Sequence, residues 1–285
     1  MKATDFNKAV VIGAGTMGRG IAQTLAMVGV QTTLVDLDSA MLETAMAQIN
    51  ANLEKGVARG KVTKDVHAAA LASLATSTEW KESCPDAHVV IEAVPEILDL
   101  KCKIFRELGD HYGPEVLLAT NTSSLPISKI AGAAKHSERV TGMHFFNPVH
   151  IMKLVEVVRA KQSSTEAIQA SLDLATRMGK EPISVKDSPG FASSRLGLVI
   201  GLEAIRMLES GVASAEDIDK AMTLGYGFPM GPLRLTDLVG LDVRLSIAEY
   251  LSKEVGKHFQ PPELLRQKVA AGELGKKSGR GFYDW

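Results

Sequence analysis

Lys8 to Asp36 reads KAVVIGAGTMGRGIAQTLAMVGVQTTLVD. A short β-branched run, a glycine turn, a stretch of helix formers and a second β-rich run follow one another, which is the grammar of a β-α-β unit. The helix is expected from about Thr16 to Val28, closed by Gly29, because glycine accepts the left-handed conformation that ends helices. Gly13-Ala14-Gly15-Thr16-Met17-Gly18 fits G-x-G-x-x-G. In such a turn the first glycine permits the tight bend, the second lets the backbone approach a pyrophosphate, and the third lets helix and strand pack closely. The helix that begins there aims free N–H groups and its positive end at phosphate. Asp36, ending the second strand, is placed to accept from both ribose hydroxyls, and its charge would repel the extra phosphate of NADP. NAD is therefore the expected cofactor. A glycine turn of any βα unit and a solvated strand-end acid are the plainer explanations of these residues, and the strand-turn-helix context weighs against them.

Downstream, Ser39 to Leu53 and the Lys- and Ala-rich stretch after it read as helices, a helical insertion at about 39–75. Val89–Ala93, Val116–Thr120, Val140–Met143 and Leu154–Val158 read as strands separated by helical or loop segments, and Ile183–Val185 as a last one. The alternation predicts an α/β fold: a Rossmann-like, doubly wound and mostly parallel sheet covered by helices. Asp187-Ser188-Pro189-Gly190 contains two strong breakers, and strand signals stop beyond Phe191. The expected organisation is a cofactor-binding domain, 1–186, and an all-α domain, 187–285, with helices such as Leu196–Glu209 and Ala215–Thr223.

With 285 residues, 45% hydrophobic and 23% charged, the chain has the make-up of a globular protein large enough for two cores. A net charge of -1 provides no general field to hold a polyanion, so nucleic acid is not an expected partner. Apolar stretches are broken well short of the roughly 20 residues that span a bilayer, so no membrane partner is expected either. Met1 to Lys8 is polar and unlike a secretory leader. Cys84 and Cys102 have neither the spacing of a disulfide framework nor that of a metal site, so no metal is expected and the reducing cytoplasm is the expected location.

A nicotinamide enzyme acting on an alcohol needs a base for the hydroxyl proton, a group to orient that base, and donors for the carbonyl oxygen. His67, His88, His111, His136 and His258 lie in polar or helical segments where a solvated role is the default. His144 opens the loop His144-Phe145-Phe146-Asn147-Pro148 after a strand. Glu156 interrupts the apolar strand Lys153-Leu154-Val155-Glu156-Val157-Val158, and a half-buried carboxylate there needs a partner, for which His144 is the natural candidate. A satisfied core histidine and an edge-strand glutamate facing water are the alternatives, and spacing alone does not choose. Asn121-Thr122-Ser123-Ser124-Leu125 follows another strand and presents hydroxyls at the carboxyl edge of the sheet, where such folds bind ligands, unless it is only a turn or a helix cap.

Taken together with Asp187-Ser188-Pro189-Gly190-Phe191 and Pro229-Met230-Gly231-Pro232, these motifs occur in the order found in the L-3-hydroxyacyl-CoA dehydrogenases, which the chain resembles over nearly its whole length. HFFNP followed by KLVEV is the most specific pair. The resemblance implies His144 as general base, Glu156 as the residue that fixes its tautomer, and Ser123 and Asn147 as holders of the substrate oxygen and the nicotinamide. It also implies cofactor contacts at Gly13, Gly15, Thr16, Met17, Gly18, Asp36, Glu96 and Lys101, and coenzyme A contacts at Asn52 and Arg59, for which a solvated helix face is the equal alternative. An acyl-CoA substrate, with the short-chain 3-hydroxybutyryl ester foremost, and a homodimer formed through the helical domain complete what it implies. One departure stands out. The family commonly has Asn before the Arg that follows the PGF motif, and this chain has Ser194 before Arg195. Serine donates one hydrogen bond but cannot present an N–H and a carbonyl together, which weakens or redirects a substrate contact there. A sugar-acid or other β-hydroxyacid dehydrogenase on the same scaffold remains the nearest rival and would need a cation for the free carboxylate. A non-catalytic NAD-binding protein is the more distant one.

Overall fold

A computed structural model describes residues 5–285, Glu82 by its backbone alone. The first four residues of the polar stretch Met1 to Lys8 lie outside them. The chain falls into two units, the first ending at Ser188 and the second running Pro189–Trp285. The division comes after the expected 186, because Asp187 belongs to the first unit. Its carboxylate accepts from the Ile127 and Ser128 N–H groups at 3.2 and 2.7 Å and from the Ser128 hydroxyl at 2.6 Å.

Among the described residues the first unit carries eight strands in one sheet: β1 Lys8–Ile12, β2 Gln31–Val35, β3 Leu74–Ser77, β4 Val89–Glu92, β5 Leu117–Thr120, β6 Val140–Phe145, β7 Leu154–Arg159 and β8 Glu181–Lys186. Their order is β3-β2-β1-β4-β5-β6-β7-β8. Every neighbouring pair is parallel except β6–β7, as expected of a doubly wound sheet. The central strands are mostly apolar, and β4, β5 and β6 are buried throughout, as strands covered on both faces must be. The helices are α1 Thr16–Met27, α2 Ser39–Ala58, α3 Lys64–Ala72, α4 Trp80–Ser83, α5 Leu98–His111, α6 Ile127–Ala133 and α7 Thr165–Arg177. Ile21, Ala22 and Leu25 of α1 pack with Val11, Leu34 and Ile91 in one core. The insertion is helical as expected over α2 and α3, but its end forms the edge strand β3, paired with β2.

The second unit is helical: α8 Ser193–Glu209, α9 Ala215–Gly225, α10 Pro232–Val239, α11 Leu241–Glu254 and α12 Glu263–Ala270. Leu198, Leu202, Ile205, Leu233, Leu241, Leu251 and Leu265 form its core. The SGRGFY tail is pinned there by the fully buried carboxylate of Asp237. That carboxylate accepts from the Phe282 and Tyr283 N–H groups and from the Trp285 indole at 2.8 to 2.9 Å. No helix among the described residues is long and apolar enough to cross a membrane.

Candidate active site

β1, β4, β5 and β6 are adjacent and parallel, so their carboxyl ends lie along one edge of the sheet. Gly13, Glu96, Ser123 and His144 all come from that edge, where open α/β sheets bind their ligands.

At the end of β1, Gly13 takes φ +103, and a Cβ there would stand 2.7 Å from the Ala93 carbonyl oxygen. A Cβ on Gly18 would meet the Gly13 carbonyl oxygen at 1.7 Å, so helix and turn touch backbone to backbone. Gly15 has no neighbour within 4 Å of its missing Cβ, which leaves the approach to the start of α1 open. No side chain caps α1, and Thr16 is exposed with Met17 half-buried beside it. Asp36 follows β2, and one of its oxygens accepts from the Ala14 N–H at 2.8 Å while the other accepts from the Asp38 N–H at 3.2 Å. A tight glycine turn, an uncapped helix start and a strand-end carboxylate braced beside them fit a dinucleotide: phosphate over Gly15 and α1, ribose at Asp36.

Behind the next strand ends lies a buried polar network. Glu92, which ends β4, is fully enclosed and accepts from Lys101 at 2.6 Å, the Val94 N–H at 2.7 Å and the Thr120 hydroxyl at 2.7 Å. Burial pushes its carboxyl above the ordinary range, while Lys101, Thr120 and the Val94 N–H pull the other way. Glu96 stands further out. Its Oε1 accepts from the Thr122 hydroxyl, from the Ser123 N–H at 2.9 Å and from the Ser123 hydroxyl at 3.2 Å, so it fixes Ser123 in place. Lys101, expected at the cofactor, lies beside Glu96, its Nζ 3.6 Å from Glu96 Oε2. It has no exposure, and its ammonium is committed to Glu92 and to the carbonyls of Val94 and Asn121. It braces the site from behind.

His144 does not open a loop; pairing with β7 carries β6 on to Phe145, and His144 lies within the strand, directly opposite Glu156. Its Nδ1 is 2.8 Å from Glu156 Oε2, with side-chain exposures of 9% and 0%. β7 runs between β6 and β8, so Glu156 is neither on an edge strand nor facing water. An Nδ1–H donated to this carboxylate puts the ring's lone pair on Nε2. The Asn121 side-chain oxygen accepts from the Phe145 N–H at 3.0 Å, tying the loop of Ser123 to the strand of His144. Asn147 is exposed just beyond β6. Asn52 is half-buried on α2, its amide 3.5 Å from Gln23 of α1, and Arg59 is exposed where α2 ends. Ser194 belongs to the second unit, half-buried in the first turn of α8.

Glu92, Asn121 and Thr122 were not singled out from the sequence for roles of their own. Glu92 could have been: it closes an apolar run, Val89-Val90-Ile91, as Asp36 follows one of its own.

A dinucleotide cradle beside an imidazole–carboxylate pair at one sheet edge defines an NAD-dependent oxidoreductase. Residues 8–188 match the NAD binding domain of 3-hydroxyacyl-CoA dehydrogenase and residues 190–285 its C-terminal domain, and the chain belongs to the 3-hydroxyacyl-CoA dehydrogenase family. It is 44% identical over 278 residues to a 3-hydroxybutyryl-CoA dehydrogenase of Mycobacterium tuberculosis, covering 96% of this chain and 97% of that one. A probable 3-hydroxybutyryl-CoA dehydrogenase of Bacillus subtilis is 42% identical over 99% of this chain and 98% of its own. Among solved structures, the (S)-3-hydroxybutyryl-CoA dehydrogenase of Ralstonia eutropha superposes with a TM-score of 0.95 at 40% identity, covering 99% of both chains. The chain thus catalyses the NAD-dependent oxidation of 3-hydroxyacyl-CoA.

Proposed function

We propose that this enzyme interconverts a short-chain L-3-hydroxyacyl-CoA, 3-hydroxybutyryl-CoA foremost, and its 3-oxo ester, with His144 as the acid–base group. The carrying observation is the 2.8 Å contact of His144 with a carboxylate that has no solvent exposure. In oxidation, Nε2 of His144 takes the proton of the substrate hydroxyl, and the imidazolium that results is stabilised by Glu156. In reduction the same nitrogen returns the proton to the alkoxide. NAD, when bound, supplies the hydride acceptor. Ser123, held by Glu96, and Asn147 seat the reacting oxygen and the nicotinamide side of the cofactor, and Ser194 adds one hydroxyl donor in place of the usual amide. Gly13, Gly15, Thr16, Met17 and Gly18 carry the phosphates, and Asp36 selects NAD over NADP.

Asn52 and Arg59 hold coenzyme A, the arginine through its phosphates. The second unit supplies the dimer contact; its exposed apolar side chains include Leu196, Val212, Leu224 and Tyr226, a set better suited to a second copy than to water. The enzyme works in the cytoplasm, where Cys84 and Cys102 stay free thiols.

The test mixes purified enzyme with acetoacetyl-CoA and NADH, follows loss of reduced-nicotinamide absorbance, and runs NADPH and free acetoacetate in parallel. Rapid turnover with NADH and the CoA ester alone is the expected result. Comparable rates with free acetoacetate, or with NADPH, would overturn the substrate or the cofactor assignment respectively.

A further inference from the structure

Between α7 and β8 the chain bends at Gly179, φ +73, and Lys180 follows. Lys180 is 8% exposed, and its ammonium donates to the Val149 carbonyl and, at 2.9 Å, to the Met152 carbonyl. Burial pushes its pKa below the ordinary lysine value, with no carboxylate near enough to act against it. A cation taken out of water without an anion is costly, and a methionine of similar length would fill the space without that cost. What the charge adds is a grip on two carbonyls of one short loop.

That loop joins β6 to β7 directly after His144 and Phe145, and it carries Asn147. Its turn is closed by the Pro148 carbonyl, which accepts from the Ile151 and Met152 N–H groups at 3.0 and 2.9 Å. Val149 is 2% exposed and packs on α1, where a Cβ at Gly20 would stand 2.8 Å from the Val149 Cβ. Glycine at that position lets the loop sit directly on the helix that follows the dinucleotide turn. Lys180 thus holds the loop by its backbone, and α1 holds it by Val149. Asn147, itself exposed, belongs to a segment anchored both to the cofactor helix and to the residue just ahead of β8.

We propose that Lys180 is a positioning residue for the reaction: by fixing the Val149 and Met152 carbonyls it sets Asn147 against the substrate's 3-oxygen and the nicotinamide. This rests on the reading of Asn147 as the residue that seats them. Lys180 is enclosed and acts through the loop rather than by contact with either ligand. Misplacing a group that orients the reacting atoms by about 1 Å costs about two orders of magnitude in rate. NADH affinity, set mainly by the glycine turn and Asp36, changes far less.

The experiment is a double-mutant cycle on kcat for acetoacetyl-CoA with NADH: wild type, Lys180→Met, Asn147→Ala and the double variant, with NADH affinity and melting temperature measured on each and Lys180→Arg assayed beside them. Lys180→Met is expected to lower kcat about ten- to a hundred-fold at NADH affinity within about threefold of the wild type, and Lys180→Arg, which keeps donors for the two carbonyls, to recover part of the loss. In the Asn147→Ala background Lys180→Met is expected to cost no more than about threefold further, because the residue it places is gone. If Lys180→Met does not fold, the milder Lys180→Gln takes its place in the cycle. A lower melting temperature with wild-type kcat, or the same loss of kcat in both backgrounds, shows a merely structural role and overturns the proposal. A loss in Asn147→Ala with none in Lys180→Met overturns the positioning role alone, whereas Asn147→Ala at wild-type kcat overturns the reading of Asn147 itself and the positioning role with it.

Discussion

His144 and Glu156 face each other across the one antiparallel pair among the described neighbouring strands, with Nδ1 2.8 Å from a carboxylate oxygen. The register of two strands, rather than a flexible loop, sets that distance. Glu156→Gln keeps the volume and removes the charge that stabilises an imidazolium. The expected result is a fall in kcat of roughly 10²- to 10⁴-fold with NADH affinity nearly unchanged, measured by steady-state kinetics and fluorescence titration. A large loss of NADH affinity would show that Glu156 shapes the cofactor site instead.

Gly15 and Gly18 separate binding from folding within one motif. Gly18→Ala forces a Cβ into the Gly13 carbonyl at 1.7 Å, so the turn must open and the melting temperature must fall. Gly15→Ala meets nothing within 4 Å, so the fold should melt as the wild type does. Its methyl group instead occupies the approach to the pyrophosphate, and NADH binding should weaken at least about tenfold. Calorimetry and NADH titration on the two variants check the division.

The Glu92–Lys101 pair predicts a pH-dependent stability. Burial raises the Glu92 carboxyl above the ordinary carboxylate range. A carboxyl whose folded value exceeds its unfolded value holds its proton better in the fold. Its stabilising share is therefore complete below the unfolded value and is lost as pH rises through the folded one. Lys101→Met removes the cation that opposes this shift, and at neutral pH it should cost about 3–5 kcal/mol. The deficit relative to the wild type should shrink as pH is lowered through the acid range. Urea melts of both proteins at several pH values measure it, and a constant deficit would contradict the account.

Asp237 holds the tail by three donors, and a Cβ on Gly281 would lie 2.3 Å from its Oδ1. Asp237→Asn turns an acceptor-only group into one that confronts an N–H with its own NH₂, and should cost about 2–4 kcal/mol. Gly281→Ala should destabilise in the same direction. Denaturant midpoints of the two variants check it.

Much of this was legible from local pattern. The first β-α-β unit could be read because its strand, glycine turn and helix carry independent signals, and the helix ends within a residue of expectation, just ahead of Gly29 at φ +77. Strand β3 was hidden because Leu74-Ala75-Thr76-Ser77 is short, lies on the sheet edge and follows an Ala-rich helical stretch. The carboxylate partner of His144 was visible as an acid in an apolar strand, but β6 was expected to stop at Met143, because its continuation to Phe145 depends on pairing with β7. Lys101 looks like an ordinary charge on a helix. Its burial arises from contacts with Glu92 and with the Asn121 carbonyl across neighbouring strand ends, which no local pattern displays.

The most direct test of the acid–base assignment is the rate of NADH-dependent reduction of acetoacetyl-CoA by His144→Asn, with NADH affinity measured on the same sample. Asparagine retains a hydrogen-bonding group beside the buried Glu156 but cannot exchange the proton. The account predicts a loss in kcat of about 10³-fold or more at unchanged NADH affinity. Turnover within about tenfold of the wild type would contradict it.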